Sequence, residues 1–421
     1  MTHAILLTSG WLLLFYFALA PVVPDVINDA AGVLAVIALA FGWPGLKRLQ
    51  RDDIIVLGGF ALYVAMALPG LLNNSDWGGA GWRFESYHPF LLMTPMWGLF
   101  RRFREELPRY LLRGVVLAGV ALGVFTWLRY GRAYEGRVGH ASGLNPNIFG
   151  HVASLVAFTL LTALGTLRLP WTRRLAVAAA FLGALAATIA SGSRGIMIAF
   201  VFALAMGATL IVRQQAVSTR KLGIAAGALV LVAGLLWVMK ESSYWTARWT
   251  QLSHEFALLN DSNDFTYTST RARVALVMGA SQIWQDNFWF GTGLGDAQHD
   301  FEHLKTIGHI VASEHPVLVK QFSNHIFHNI FADSFATTGL VGGLTMIVAV
   351  LWLPLRYFRR RLTASGDNDI ARFAALAGIG LCAINIAFGF DNSWLYLNSL
   401  PYTLVLMTAL MVISAAPPDG E

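Results

Sequence analysis

Apolar runs of about twenty residues follow one another almost without pause along this chain, and a helix of that length crosses the hydrocarbon of a bilayer. They fall near residues 4–20, 26–43, 53–72, 88–100, 108–128, 146–166, 172–190, 194–212, 221–239, 327–353, 371–390 and 397–414. Little chain is left over for a soluble core. With 56% hydrophobic and 13% charged residues, the composition also fits a polytopic bundle better than a soluble enzyme. The expected fold class is an all-α polytopic membrane protein with about 12 transmembrane helices.

Between the runs, charge is sorted. Lys47, Arg48 and Arg51, then Arg101 to Arg113, Arg168 to Arg174, Arg213 to Lys221 and Arg356 to Arg372 form five basic connections holding 19 of the 30 Lys and Arg. Basic short loops face the cytoplasm, and twelve spans place all five there together with both termini. Ten of the eleven histidines fall in or beside the other connections, so the candidate acid–base groups face outward. The net charge of +6 is thereby an orientation signal, and no nucleic-acid partner is expected. Cys382 is the single cysteine and lies in an apolar run, which rules out an intramolecular disulfide. The first run follows Met1-Thr2-His3 without a basic n-region or a small-residue cleavage site, and is expected to be a retained helix.

One connection breaks the rhythm. Residues 240–325 separate spans one to nine (1–239) from spans ten to twelve (326–421), and mix polar and aromatic residues such as Trp245, Trp249, His254, Trp284 and Trp289. An outward-facing, periplasmic helical subdomain is expected there. From Arg271 to Gln285, Val274, Val277, Met278 and Ala280 recur at helical spacing, which predicts an amphipathic helix near the membrane surface.

Four outward segments carry polar residues that packing alone explains poorly. The first runs from Arg137 through His140 to Asn145-Pro146-Asn147. Asn145 and Pro146 suit a helix cap and first helical position, while Arg137 beside a helix start can bind a phosphate with the free N–H groups there. The second is Ser191-Gly192-Ser193-Arg194-Gly195, between two apolar runs with almost no loop. An Arg so close to hydrocarbon is costly; it is met either by an anion or by snorkelling to the headgroups. Third comes Thr270-Arg271-Ala272-Arg273, followed by Gly291-Thr292-Gly293-Leu294-Gly295-Asp296. Residues two apart do not share a helix face, so only one of Arg271 and Arg273 is expected to point at a site. The fourth, Asn324-His325-Ile326-Phe327-His328-Asn329-Ile330-Phe331-Ala332-Asp333, opens the tenth span and leads into Thr338-Gly339-Leu340-Val341-Gly342-Gly343. His325 and His328, three apart beside Asn329, point to a functional role at the mouth of the bundle.

Two other classes of function were weighed on the residues. His299 and His303, four apart with Asp296, Asp300 and Glu302 nearby, have a spacing usable by a metal on a helix, though the segment also looks like an ordinary amphipathic helix and no metal is expected. An anion transporter would carry charge near mid-span and on both sides of the bilayer. Here the spans are nearly free of charge and the unusual polar groups gather at one face, which favours an enzyme fed laterally by lipid.

Taken in order, the Ser-Gly-Ser-Arg-Gly junction, the Gly-Thr-Gly-Leu-Gly turn, and His-Asn followed by Thr-Gly-Leu-Val-Gly resemble the O-antigen ligase and polymerase superfamily from Arg137 to about Gly343. Asp391-Asn392, after the eleventh span, resembles a further acidic position of the ligases. That resemblance implies a GT-C type glycosyltransferase of the bacterial inner membrane, working on the periplasmic side. The donor would be O-antigen on undecaprenyl pyrophosphate and the acceptor a sugar hydroxyl of lipid A-core, in contact with membrane lipids and with no cofactor. A polymerase or a protein O-oligosaccharyltransferase of the same superfamily is the alternative. In this scheme His328 acts as general base, Asp391 orients an imidazole or pairs with an Arg, and Arg194 and Arg271 grip the pyrophosphate. Arg137 and Arg273 are second choices for that grip, with His325, Asn329, Asn145 and His140 in support.

Overall fold

The structure is a computed structural model, which describes residues 2–72, 74–130, 145–213, 269–306, 327–396 and 399–415, with isolated positions at 138, 234, 246–247, 250–251 and 253–254. Every regular element among these is helical. Helices α1 (Thr2–Leu19), α2 (Pro24–Phe41), α3 (Trp43–Leu46), α4 (Arg51–Leu72), α5 (Trp77–Phe84), α6 (His88–Arg102), α7 (Leu107–Tyr130), α8 (Pro146–Thr166), α9 (Trp171–Ala190) and α10 (Arg194–Arg213) come first. Then follow α11 (Ser269–Asp286), α12 (Ala297–Thr306), α13 (Ile330–Thr345), α14 (Leu353–Ala364), α15 (Asp369–Gly389) and α16 (Ser399–Ser414).

Six helical stretches are long and apolar enough to cross a membrane: Arg51–Leu72, Leu107–Arg129, Pro146–Thr166, Trp171–Ala190, Ile330–Ala364 and Asp369–Gly389. Four shorter apolar helices, Leu7–Leu19, Asn28–Phe41, Arg194–Leu210 and Ser399–Ser414, accompany them. The chain is a multi-pass helical membrane protein. Of the twelve expected spans, the one near 221–239 lies outside the described residues. The run near 88–100 forms a 15-residue helix, too short to span by itself.

Helix α15 lies at the centre, packed by α8, α10, α14 and α16. In lipid no hydrophobic drive brings helices together, so close approach of small residues does more of the work. At the α7–α9 crossing, Gly119 and Gly123 face Ala180 and Gly183, and a Cβ on Gly119 or Gly183 would overlap the opposing backbone. Four of the five basic connections meet at one end of the bundle. There Arg360 pairs with Asp52 at 2.7 Å, Arg361 donates to Gln50 at 2.8 Å, Tyr357 donates to the buried Asp53 at 2.8 Å, and Arg168 reaches Asp369 at 3.0 Å. The opposite end carries the helix termini around residues 194, 330 and 389.

At that opposite end α13 is broken. Gly339 adopts φ 66° and ψ −164°, a region essentially reserved for glycine, and a Cβ there would overlap the backbone of Trp289 and Phe290. A break inside an apolar helix frees backbone groups that lipid cannot satisfy. The segment after α11 takes all four: Thr292 and Gly293 N–H donate to the Ala336 and Thr337 carbonyls at 3.0 and 3.2 Å, and Leu340 and Val341 N–H donate to the Phe288 and Trp289 carbonyls at 2.8 and 3.2 Å. Leu294 N–H continues to the Gly70 carbonyl at 2.9 Å, joining the same segment to the end of α4. The Gly-Thr-Gly-Leu-Gly and Thr-Gly-Leu-Val-Gly motifs are thus the two halves of one joint.

Helix α11 forms as its spacing predicts, but its buried side is Leu276, Ala280 and Ile283, which pack with Phe301, Phe327 and Ala336. Val274, Val277 and Met278 make an exposed apolar strip instead.

Candidate active site

Asn329 ends the approach to α13 in the extended conformation of a helix cap, its Oδ1 accepting from Phe331 and Ala332 N–H at 3.0 Å each. The preceding His328 sits at φ 52°, the one positive φ at a non-glycine residue among those described. A left-handed backbone costs an ordinary L-residue about 1–2 kcal/mol, so the neighbours must hold it there. They do so on both sides. Asn329 Nδ2 donates to the Phe390 carbonyl at 3.1 Å, and Phe327 N–H donates to Asp333 Oδ1 at 3.0 Å.

Across from His328 runs the turn that follows α15. Asp391 and Asn392 N–H both return to the Phe388 carbonyl, at 2.9 and 2.8 Å, which closes the helix and aims the two side chains toward α11 and His328. Asp391 Oδ1 pairs with Arg273 Nη1 at 2.7 Å. Its other oxygen lies over Gly195, so close that a Cβ there would overlap the carboxylate. The first turn of α10 thus presents its positive end to Asp391, and Arg194 opens that same turn.

The imidazole of His328 is partly buried, and burial together with the Arg273 guanidinium holds its pKa below the ordinary histidine value. A hydrogen bond with the Asn392 side chain and the charge of Asp391 pull the other way without reversing the shift. His328 is therefore neutral near pH 7 and able to accept a proton. Arg273 engages Asp391 through Nη1, one corner of a fork that carries five N–H donors.

Of the residues singled out from sequence, His328, Asn329, Arg273 and Asp391 converge, and Arg194 begins the helix against which Asp391 rests. Asn145 caps α8, its side chain accepting from Asn147 N–H at 2.8 Å. Arg137, His140 and His325 lie outside the described residues, as does the side chain of Arg271. Asp296, weighed as a metal ligand, accepts instead from Ser75 N–H and hydroxyl and from Asp76 N–H, while Asp300 accepts from the Thr292 hydroxyl. Among the described residues no three potential metal ligands gather.

Asp333 closes the fourth outward segment without a role of its own there, and Arg83 and Ser393 stand in none of the four. Asp333 and Arg83 are buried and face each other at 3.5 Å, and the Ser393 hydroxyl donates to Asp333 Oδ2. The signal was present, because Asp333 is a carboxylate inside the first turn of an apolar run, and ionisable residues in such runs are costly unless they serve a purpose. Also unforeseen is a polar cluster below the site, where His151 bridges Ser399 at 3.0 Å and Asn385 at 2.8 Å. Fully buried against Phe388, this Ser–His–Asn arrangement joins α8, α15 and α16.

Residues 178–347 match the family model described as O-antigen ligase, a stretch that contains Arg194, Arg271, Arg273 and His328 and stops short of Asp391. No curated protein matches the chain.

Proposed function

We propose, from the O-antigen ligase family assignment that the match over residues 178–347 supports, that this chain transfers O-antigen polysaccharide from undecaprenyl pyrophosphate to a sugar hydroxyl of lipid A-core. The reaction takes place at the periplasmic face of the bacterial inner membrane, in a protein of the GT-C class. The observation that carries the chemistry is the juxtaposition of a neutral His328 with the Arg273–Asp391 pair, 2.7 Å apart.

The acceptor oxygen bonds to the anomeric carbon as the bond from that carbon to the pyrophosphate oxygen breaks. Its proton passes to the His328 imidazole, and the bonding pair leaves on undecaprenyl pyrophosphate. Negative charge grows on that leaving group. Arg194, Arg271 and Arg273 receive it, the planar guanidinium matching phosphate oxygens in bidentate fashion, and Arg137 adds a further contact. Asp391 holds Arg273 in place before the donor arrives. One displacement inverts the anomeric configuration, and because guanidinium groups supply the positive charge the transfer runs without a metal.

The test is transfer by purified protein with a carrier-linked donor and a lipid A-core acceptor. His328→Ala should abolish transfer and a chelator should leave it intact; wild-type rates in the variant, or loss on chelation, would overturn the proposal. In a deletion strain, lipid-linked polymer accumulating behind unmodified core identifies the ligase. Cores capped with a single repeat would identify a polymerase instead.

A further inference from the structure

The two segments that carry the site are bracketed by the same pair of side chains. His328 has Phe327 before it and Asn329 after it; Asp391-Asn392 has Phe390 before it and Ser393 after it. Asn329 Nδ2 ties to the Phe390 carbonyl at 3.1 Å. Asp333, four residues on and therefore on the same helical face, closes the other two ends: Oδ1 accepts from Phe327 N–H at 3.0 Å, and Oδ2 accepts from the Ser393 hydroxyl. Each segment is thus fastened on both sides, and Asp333, which belongs to neither, touches both.

We infer that Asp333 is a positioning residue, whose carboxylate clasps the His328 segment to the Asp391-Asn392 segment and so sets the distance between base and arginine-bound acid. This rests on the proposed reaction for its catalytic consequence but not for its geometry. A fully buried carboxylate is costly unless it is paired and hydrogen-bonded. Here the Arg83 guanidinium, buried on α5, faces it at 3.5 Å. A residue serving only the packing of α13 would need no charge, since Ile330, Ala336 and Gly343 do the same from neighbouring positions with none. What the carboxylate adds is two acceptor oxygens pointing to two chain segments, one six residues away and the other 60. It also explains how His328 keeps its left-handed backbone, because the N–H just before it is anchored to the turn just after it on the helix.

The experiment measures accessibility and turnover separately, on the full chain in detergent. His328 is labelled with diethylpyrocarbonate at pH 7 and its rate read by mass spectrometry, with the fully buried His151 as an internal gauge of global opening. In Ser393→Ala and Asp333→Ala, His328 should label at least fivefold faster while His151 stays protected, and transfer should show kcat reduced at least tenfold with donor KM within twofold. Asp333→Asn, which keeps one acceptor oxygen, should fall between. Unchanged His328 labelling in Ser393→Ala and Asp333→Ala would overturn the inference, and so would equal acceleration of His151, which would make Asp333 a residue of the fold and not a clasp. If the wild-type protein transfers no glycan, the proposed reaction fails while the labelling still decides the clasp.

Discussion

Replacing Gly339 by alanine tests the joint between the broken helix and the loop. The added methyl meets two independent penalties. A side chain at φ 66° and ψ −164° costs about 1–3 kcal/mol, and forcing a Cβ against the Trp289 and Phe290 backbone adds about 1–3 kcal/mol for overpacking. Retreat of the loop does not relieve the second, because Trp289 is itself one partner in the four hydrogen bonds that satisfy the break, each worth about 0.5–1.5 kcal/mol net. A loss of about 2–6 kcal/mol follows from the two penalties together. Unfolding entropy of about 2.1 cal/mol/K per residue makes each kcal/mol worth about 1 °C in a chain of this length, so the melting temperature in detergent should fall by about 2–6 °C. Gly58→Ala is the control, since that glycine lies in α4 with open space where the Cβ would point. Alanine there should be neutral or raise the midpoint by about 1 °C through helix propensity. A Gly339→Ala protein that melts with the wild type, or a Gly58→Ala protein that loses as much, would refute the assignment of Gly339 as an obligatory break.

Removing the His328 imidazole should lower kcat by about 100-fold or more, the range for loss of a general base, with donor KM little changed. Transfer should fall as acid protonates His328, along a limb below the ordinary histidine value; because the Arg273 cation depresses that value, Arg273→Gln should move the limb to higher pH in a pH–rate profile. Gly195→Ala pushes on the Asp391 carboxylate and on its Cβ, which rotation of the side chain does not move, so it should lower the melting point by about 1–3 °C through overpacking while reducing kcat by about tenfold. Arg83→Leu strands a buried carboxylate and should cost about 3–5 kcal/mol. Adding Asp333→Leu should restore much of the melting point and none of the transfer, which separates the ion pair's part in folding from the clasp.

Much of the fold was legible because lipid permits few solutions. Apolar runs of span length located the main helices, and turn chemistry located the start at Asn145-Pro146, while the cap at Asn329 was not foreseen. The break at Gly339 was not legible: the sequence contains a glycine-rich motif there, but only the arrival of residues 287–294 decides that the helix opens. At the candidate site, His328 was singled out by residue type and place, and Asp391 by the family resemblance. Arg273 ranked below Arg271 because spacing shows that two residues two apart diverge without saying which one faces inward. Asp333 escaped because its importance lies in bonds to partners six and sixty positions away, which no local pattern records. Spacing groups Val274, Val277, Met278 and Ala280 on α11 into one apolar set, of which only Ala280 turns inward, for a similar reason. Leu276 and Ile283 satisfy a helical period equally well, and only the packing of Phe301 and Phe327 selects them for the interior.

The site draws its parts from α10, α11, the entry to α13 and the turn after α15, and this fixes an order of events during synthesis. Arg194 and Arg273 leave the ribosome long before Asp391, and the loop at 287–294 is made before the helix whose opened backbone it completes. Neither the joint nor the clasp can close until the later helices have entered the membrane. A nascent chain therefore carries Arg273 without the carboxylate that pairs with it, and the candidate site is complete only in one late step, when Asp391 and Ser393 swing beneath a helix that is already waiting.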